Sequence, residues 1–334
     1  MWCSVLISSL ALSISLILPA LVFSTVQYEV HYEVDHDANC FTQGLVLYKG
    51  FVYETCGQYG QSSVRKVDPK TGRVMQSRSF GREIFAEGLA ITNDKMFILT
   101  WTNKIMITLD VTTFGILGKF AYQTYNGEGW GIAIDGYTNT MVVSDGTDRL
   151  SIFKIPEAFA PLEEGDRRSK ITMSNTPFAP VTASGGSSAS SSIPYLEKVR
   201  EVVVADPDTG KSINRINELE WTPDGYVYAN LWYLDVIVKI EVATGHVAQY
   251  LNLKKLYPQR RRAPTADCLN GIAYDPVDKS LLLTGKYWPK YYTISVTDGE
   301  SSSSNPVNPN PNHKLSSSSG SGSNYRRVEE LRHA

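Results

Sequence analysis

Histidine and closely spaced cysteine, the usual ligands of protein-bound zinc, are scarce in this sequence. The 334 residues include four cysteines and five histidines, with no Cys-x-x-Cys pair; the histidines are His31, His36, His246, His313 and His333. Zinc sites need several such ligands close together. A zinc enzyme with histidine ligands is therefore not expected, and we predict no metal ion or other cofactor for catalysis.

An excess of charge of either sign is also lacking. Only 20% of the residues are charged, the formal net charge is −2, and 42% of the residues are hydrophobic. Nucleic-acid binding depends on a strongly basic surface, so no nucleic-acid partner is expected. The run from Arg260 to Arg262 is interpreted as a solvated loop. The apolar content suffices for a sizeable core, and we take a monomer as the default expectation.

Charged residues are almost absent between Val5 and Val26. Leu, Ile, Val and Ala dominate there, and no positive charge precedes the run. Val22 and Ser24 are small residues placed for signal cleavage near Ser24, which predicts a signal peptide over residues 1–24. An uncleaved anchor is the alternative, because about 20 apolar residues can span a bilayer. Both interpretations predict the secretory pathway or the cell exterior, with membrane attachment only for the anchor.

Three cysteines remain beyond this segment, namely Cys40, Cys56 and Cys268. An odd number implies at least one free thiol or an intermolecular pair. A hairpin that turns at Lys49–Gly50 places Cys56 opposite Gln43, three residues from Cys40. A regular ladder therefore disfavours a disulfide between Cys40 and Cys56.

Long stretches of helical periodicity are lacking as well, and short strand-like segments recur instead. Gly44, Gly88 and Gly131 are spaced by 44 and 43 residues, each at the start of an apolar segment. Repeats of about 40 to 50 residues with four strands each predict a β-propeller. The repeat starts are Phe41-Thr42-Gln43-Gly44-Leu45, Phe85-Ala86-Glu87-Gly88-Leu89, Glu128-Gly129-Trp130-Gly131-Ile132, Asn217-Glu218-Leu219-Glu220 and Leu269-Asn270-Gly271-Ile272.

The number of blades depends on the interval from Gly131 to Leu219, which is 88 residues, about twice the period. Either a sixth, degenerate blade or an insertion fills it. Residues 163–192 are charged and then rich in Ser, Ala, Gly and Pro, so they cannot supply apolar strands. We therefore predict an all-β fold, a five-bladed propeller of four-stranded antiparallel blades over residues 25–298. The insertion at 163–192 and the Ser-rich tail at 299–334 are predicted to be disordered.

One acid, Glu87, begins an inner strand of this propeller. Two apolar runs flank an Asn-Asp-Lys corner between Phe85 and Trp101, which predicts a largely buried hairpin. Beside Phe85 and Trp101, desolvation is expected to raise the pKa of Glu87, as proton transfer near neutral pH requires. The alternative is a solvated carboxylate at the rim of the sheet.

Propeller symmetry brings the five inner-strand starts to one face, around the central channel. This predicts a pocket formed by one acid, amides, a lysine and aromatic rings. Packing between blades is the alternative role for the tryptophans, turn formation for the asparagines, and a rim charge for the lysine. The predicted members are Phe41, Gln43, Phe85, Glu87, Trp130, Asn217 and Asn270 at the starts, and Trp101, Trp232 and Lys286 at the ends of the next strands.

The motifs resemble those of the plant-type and bacterial glutaminyl cyclases. The resemblance runs from Tyr28 to about Val296, apart from the insertion, with the motifs in the same order. Besides the repeat starts, it rests on Tyr59-Gly60-Gln61-Ser62-Ser63, Leu99-Thr100-Trp101, Ser144-Asp145-Gly146 and Thr284-Gly285-Lys286-Tyr287-Trp288-Pro289.

This resemblance implies a five-bladed propeller that converts the N-terminal glutamine of peptides to pyroglutamate and releases ammonia, without catalytic zinc. It implies Glu87 as the central acid, with Asn217 and Lys286 as further polar contacts. We hypothesise that Glu87 shuttles the proton as the catalytic acid and base, and that Asn217, Gln43 or Lys286 holds the amide oxygen as it gains charge. Cys40 and Cys56 depart from the family, which more often has other small residues there. The implied substrate-binding residues are Phe41, Gln43, Phe85, Trp101, Trp130 and Trp232, to which the fifth repeat adds Asn270.

Two other functions remain open from the residues alone. A non-catalytic propeller would bind peptides or partner proteins through the same face. A metal-dependent propeller hydrolase, such as a lactonase, would need several acids and amides around an ion, and Asn217 and Asn270 alone make a weak calcium site.

Overall fold

Twenty β-strands occupy the residues that the computed structural model describes, 26–159 and 193–297. β-branched and aromatic residues, which favour strand formation, are frequent in them. The only helices in these residues are two short 3₁₀ turns, Glu157–Phe159 and Gln259–Arg261. In chain order the strands are β1 (Gln27–Asp35), β2 (Thr42–Tyr48), β3 (Phe51–Cys56), β4 (Ser63–Val67), β5 (Val74–Ser79), β6 (Ala86–Thr92), β7 (Lys95–Thr100), β8 (Ile105–Asp110), β9 (Ile116–Ala121), β10 (Ile132–Asp135), β11 (Thr140–Ser144), β12 (Arg149–Lys154), β13 (Lys198–Val203), β14 (Ile216–Trp221), β15 (Tyr226–Leu231), β16 (Val236–Glu241), β17 (Val247–Asn252), β18 (Leu269–Asp275), β19 (Ser280–Gly285) and β20 (Lys290–Thr297).

The strands pair into five four-stranded antiparallel sheets, which are the blades of a five-bladed propeller. Blades 1 to 4 are β2–β5, β6–β9, β10–β13 and β14–β17, and blade 5 combines β18–β20 with β1. The predicted fold is therefore confirmed. The blade count is five because β13 follows the predicted insertion and completes the blade that β10 begins.

Three predicted segments lie outside the described residues: the N-terminal segment at 1–24, the insertion at 163–192 and the tail at 299–334. Among the residues that are described, no helix is long and apolar enough to cross a membrane. Cleavage, anchoring and the secretory location stay predictions.

Five apolar clusters hold the blades together, and each lies between two neighbouring blades. The strands of each blade alternate their side chains between its two faces, so both faces pack against neighbours. The smallest cluster lies between blades 5 and 1, where the ring closes. Its buried members are Leu45, Val52, Val67, Ala273, Leu282 and Tyr291.

A buried polar network accompanies this smallest cluster. The carboxylate of Glu54 accepts hydrogen bonds from His36 Nε2 (2.8 Å), Thr42 Oγ1 (2.8 Å), Arg65 Nη2 (2.6 Å) and Tyr291 Oη (3.1 Å). Burial on its own would raise the pKa of Glu54, but His36 and Arg65 hold it well below its usual range. The hydrogen bond from Tyr291 of blade 5 to Glu54 thus joins blade 5 to blade 1 where apolar contact is least extensive.

The prediction against a Cys40–Cys56 disulfide was wrong. The two cysteines are bonded, and their Cα atoms lie 5.1 Å apart. A β-bulge between Thr42 and Gly44 shifts the ladder, so that Cys56 pairs with Thr42 instead of Gln43. Because β2 begins only at Thr42, Cys40 is free of the ladder and can approach Cys56. Cys268 is a buried free thiol, as an odd cysteine count required.

The repeat glycines lie where inner strands of neighbouring blades approach each other closely. A Cβ atom on Gly44 would lie 2.3 Å from the Leu89 nitrogen, and one on Gly88 would lie 2.6 Å from the Trp130 oxygen. One on Gly131 would lie 2.1 Å from the Asn217 oxygen. The obstructing atoms belong to the backbone and cannot rotate away. Only glycine fits these positions without moving a blade.

Glu218 occupies the equivalent position in the fourth repeat. Its side chain is buried and accepts hydrogen bonds from the Leu45 nitrogen (3.3 Å) in blade 1 and the Ile272 nitrogen (2.9 Å) in blade 5. Two residues on, Glu220 accepts a bond of 2.8 Å from the Tyr274 nitrogen. Burial raises the pKa of Glu218 well above its usual range and that of Glu220 to about 8. These acid side chains therefore connect blade 4 to blades 5 and 1, the two blades between which the ring closes.

We expect Gly88→Ala to lower the free energy of unfolding by about 1–3 kcal/mol, the usual cost of overpacking. The added methyl group would press on the backbone of blade 3. Gly118→Ala is the matched control, because the nearest atom to its added methyl group is a Phe120 ring carbon at 3.4 Å. Urea unfolding of both variants measures the difference. Equal midpoints for the two variants would contradict the proposed close approach.

Candidate active site

β-bulges place the polar side chains of the inner strands. The register of β6 shifts between Ala86 and Leu89, so Glu87 and Gly88 together face one residue of β7. Equivalent shifts occur in β2, β14 and β18. A bulge re-aims a side chain, and these four bulges contain Gln43, Glu87, Asn217 and Asn270.

Glu87 lies in the predicted hairpin, whose turn at Asn93 and Asp94 has positive φ values of 49° and 59°. The Glu87 side chain is buried, with only 5% of the residue exposed, and Gln43 Nε2 donates to its Oε1 at 3.0 Å. Burial raises the pKa of Glu87 well above its usual range; the Lys286 ammonium opposes this shift and the Glu128 carboxylate adds to it. The predicted desolvation is confirmed, and a solvated rim carboxylate is excluded.

The orientation of Gln43 is fixed from behind by Asn270. Asn270 Nδ2 donates to the Thr42 carbonyl at 2.9 Å and to Gln43 Oε1 at 3.3 Å. Because a carbonyl oxygen can only accept, Asn270 must present its NH₂ group to Thr42 and Gln43. Gln43 must then present its oxygen to Asn270 and its NH₂ group to Glu87. Oε1 of Glu87 is consequently an acceptor, and Oε2 is the oxygen available to carry a proton.

Lys286 is buried, with 4% of the residue exposed, and is not a rim charge. Its Nζ atom lies 4.6 Å from the centre of the Phe41 ring. Among the described residues, no acceptor forms a hydrogen bond with this ammonium group. Lys286 is thus a donor without a partner beside the buried acid.

Asn217 is also buried, and within the described residues no donor reaches its Oδ1 atom. Its backbone oxygen accepts a bond of 2.6 Å from Ser144 Oγ, which ties it to the blade that carries Trp130. Buried polar atoms are rarely left unpaired, and those that are often mark functional sites. The side-chain oxygen of Asn217 is therefore free to accept from a bound molecule.

Aromatic rings form the walls above these polar groups. The ring centres of Phe41 and Phe85 are 6.2 Å apart, and those of Phe85 and Trp101 are 5.5 Å apart. Trp130 and Trp232 meet edge to face at 5.2 Å. The Phe41–Phe85 and Trp130–Trp232 contacts cross from one blade to the next, and Trp101 contacts Tyr59 of blade 1 with ring centres 6.4 Å apart. The tryptophans therefore pack between blades, and their role as substrate-binding walls stays a prediction.

A family model described as glutamine cyclotransferase matches residues 6–175 and 181–296, which is more than half of the chain. The chain belongs to the glutamine cyclotransferase family. A glutaminyl-peptide cyclotransferase of Arabidopsis thaliana is 30% identical over 283 residues, which cover 84% of this chain and 74% of the relative. The crystal structure of Myxococcus xanthus glutaminyl cyclase superimposes with a TM-score of 0.62 at 26% identity, covering 82% of this chain and 98% of the other. The resemblance inferred from the motifs is confirmed.

One charged residue of the candidate site, Glu128, was not predicted from the sequence. Its Oε2 atom accepts the indole N–H groups of both Trp101 and Trp130, each at 2.8 Å. Glu128 therefore clamps two walls of the pocket and places negative charge near Glu87. Its position in the Glu-Gly-Trp-Gly motif was the one available signal, but the motif does not show which side chains it contacts.

Two tyrosines extend the aromatic walls of the cyclotransferase site and were also not singled out. The ring of Tyr59 lies 5.3 Å from that of Phe85, and the ring of Tyr287 lies 5.0 Å from that of Phe41. Both belong to motifs of the family resemblance. No feature of the sequence separates them from ordinary surface tyrosines.

One group of potential metal ligands is found among the described residues, and it lies outside this site. His36, Cys40 and Glu54 are close together. The sulfur of Cys40 is bonded to Cys56, and the two ring nitrogens of His36 face the Trp288 carbonyl and Glu54. The donor atoms are thus already engaged in the network that joins blades 5 and 1.

Proposed function

We propose that this chain is a glutaminyl-peptide cyclotransferase in which Glu87 shuttles the proton. It is an enzyme that converts N-terminal glutamine of peptides or proteins to pyroglutamate and releases ammonia. Membership of the glutamine cyclotransferase family supports the reaction. The observation that supports the role of Glu87 is its burial beside Gln43 and Lys286, with a raised pKa.

The reaction joins the α-amino nitrogen of the substrate to its own γ-carboxamide carbon. As this bond forms, ionised Glu87 takes a proton from the attacking amine. Glu87 then gives that proton to the departing nitrogen, the carbon–nitrogen bond of the carboxamide breaks, and ammonia leaves. General acid–base catalysis of this kind contributes about 10²- to 10⁴-fold. The orientation of Gln43 supports Oε2 as the oxygen that carries the proton.

Lys286 and Asn217 are suited to opposite ends of the substrate carboxamide. The Lys286 ammonium would donate to the amide oxygen as it gains negative charge, and a buried donor is most effective there. Asn217 Oδ1 would accept a hydrogen bond from the amide NH₂ group of the substrate. This NH₂ group would be the donor that Oδ1 lacks among the described residues. The aromatic walls would exclude water and hold the amine against the carbonyl, which favours an intramolecular reaction limited by orientation.

We expect Glu87→Gln to lower ammonia release from a glutamine-initiated peptide by about 10²- to 10⁴-fold. The amide is isosteric and can still accept from Gln43, so the fold is retained while the proton acceptor is lost. Coupled detection of ammonia measures the rate. Glu83→Gln is the control, since Glu83 is an exposed acid four residues away.

Full turnover by Glu87→Gln would refute the proposed shuttle. Binding of the peptide without turnover in the wild type would favour the non-catalytic propeller instead. We also propose that no metal ion takes part, so the wild-type rate should survive dialysis against EDTA; activity lost there and restored by zinc would overturn this part.

We expect Asn270→Leu to move the acidic limb of the pH–kcat/KM profile upward, by about one pH unit. Without Asn270, the Gln43 amide is free to rotate, and its oxygen can accept a hydrogen bond from the neutral Glu87 carboxyl group, which stabilises the neutral form and raises the Glu87 pKa. One unit corresponds to about 1.4 kcal/mol, the scale of a hydrogen bond to a charged group. The substrate amine also titrates in this range, but its contribution is the same for both proteins.

A double-mutant cycle separates this positioning role from a merely structural one. If Asn270 acts through Gln43, then Asn270→Leu added to Gln43→Leu should leave the pH profile of Gln43→Leu unchanged. A general loss of packing would lower the amount of active protein without moving the profile. If Asn270→Leu shifts the pH profile equally with and without Gln43→Leu, Asn270 does not act through Gln43.

A further inference from the structure

A second cleft opens on the same face of the propeller as Glu87. It has a volume of about 330 Å³ and lies between the loop that follows β15 and the long loop from β17 to β18. The first loop contributes Tyr233 and the second contributes Arg262, Pro264, Ala266, Asp267 and Cys268. Nothing in the proposed reaction uses these residues.

The cleft adjoins the site that holds Glu87. The backbone nitrogen of Lys286 donates to the Cys268 carbonyl at 2.9 Å, and the backbone nitrogen of Asp267 donates to the Lys286 carbonyl at 2.8 Å. On the other side, the ring of Tyr233 lies 4.8 Å from that of Trp232, which is a wall of the site. A peptide whose first residue occupies the site would therefore extend its following residues towards this cleft.

The charges in the outer part of the cleft are paired with each other. Arg262 pairs with Asp235 at 2.5 Å and lies over the Trp288 ring, 4.9 Å from its centre. The indole N–H of Trp288 in turn donates to the Asp267 carbonyl at 2.9 Å. Arg260 and Arg261, the other members of the basic run, are exposed and do not line the cleft.

Asp267 is the unbalanced charge of the cleft. One of its oxygens accepts from the Cys268 nitrogen at 2.6 Å, and no cation pairs with the carboxylate among the described residues. Asp267 is the largest cause of the raised pKa of Tyr233, and it adds to burial in raising the pKa of Tyr287. Its charge therefore acts on two partly exposed tyrosines at the rim. A carboxylate among aromatic rings is suited to bind a cation.

We propose that this cleft is a subsite for the residue that follows the N-terminal glutamine, and that it favours lysine or arginine there. The cationic end would pair with Asp267, and the aliphatic stem would lie against Pro264 and Ala266. The α-amino group of the substrate is not this cation, because it must reach Glu87. The inference rests on the proposed function and adds the substrate class to it.

Three peptides that differ only in the second residue test the subsite: Gln-Lys, Gln-acetyl-lysine and Gln-Glu, each followed by the same neutral sequence. We expect kcat/KM for the lysine peptide to exceed that for the acetyl-lysine peptide by about two- to fivefold at low salt, as for a partly exposed ion pair. The glutamate peptide should be the poorest. The lysine preference should decline in 0.5 M NaCl.

Asp267→Asn should bring the lysine to acetyl-lysine ratio close to one, while its side-chain oxygen can still accept from Cys268. Asp208→Asn, at an exposed acid in the turn after β13, is the matched control and should leave the ratio unchanged. Ratios between substrates do not depend on the fraction of folded protein. Turnover of all three peptides at equal kcat/KM, or a preference that survives Asp267→Asn, would overturn the subsite alone. No ammonia from any peptide would overturn the proposed function with it.

Discussion

Backbone crowding at the propeller axis is the constraint on which the site depends. Five inner strands begin around one channel, and three of them come so close to the next strand that only glycine fits. The residue before each of these glycines is held on the same level as its counterparts in the other repeats. Gln43, Glu87 and Trp130 are such residues, and Asn217 and Asn270 hold the same place in the remaining repeats. The glycines thus fix where the polar groups lie without contacting any of them.

The same crowding removes water from Glu87 and makes its neighbours decisive. A buried carboxyl has few ways to be stabilised, so the donor of Gln43 and the charges of Lys286 and Glu128 set its protonation. These three groups come from three different blades: Gln43 from blade 1, Glu128 from blade 3 and Lys286 from blade 5. Relative movement of the blades would therefore change the acid directly. The hydrogen bond between Tyr291 and Glu54 and the side-chain bridges of Glu218 oppose such movement where the ring closes.

The blades and the composition of the site were predictable because both repeat with the chain. A residue at the same place in each repeat must reach the same face, so Glu87, Gln43 and the tryptophans followed from spacing alone. The bulges were not predictable, since the sequence does not mark which residue leaves the ladder. That is why the Cys40–Cys56 disulfide was missed. The contact of Asn270 with Gln43 was not predicted for the same reason. Glu128 and Asp267 were missed because their roles come from contacts between loops of different blades.

A raised pKa of Glu87 also resolves a difficulty of the proposed reaction. The α-amino group of a peptide has a pKa of about 8, so most substrate is protonated at neutral pH and cannot attack. The neutral amine therefore makes the attack, and it must lose a proton as the new bond forms; an ordinary glutamate is a weak acceptor for that proton. Burial raises the pKa of Glu87, which makes it a better acceptor and still allows it to release the proton to the leaving nitrogen. Burial at the axis therefore favours both proton transfers of the proposed reaction, and the Lys286 ammonium opposes the shift by favouring the ionised form.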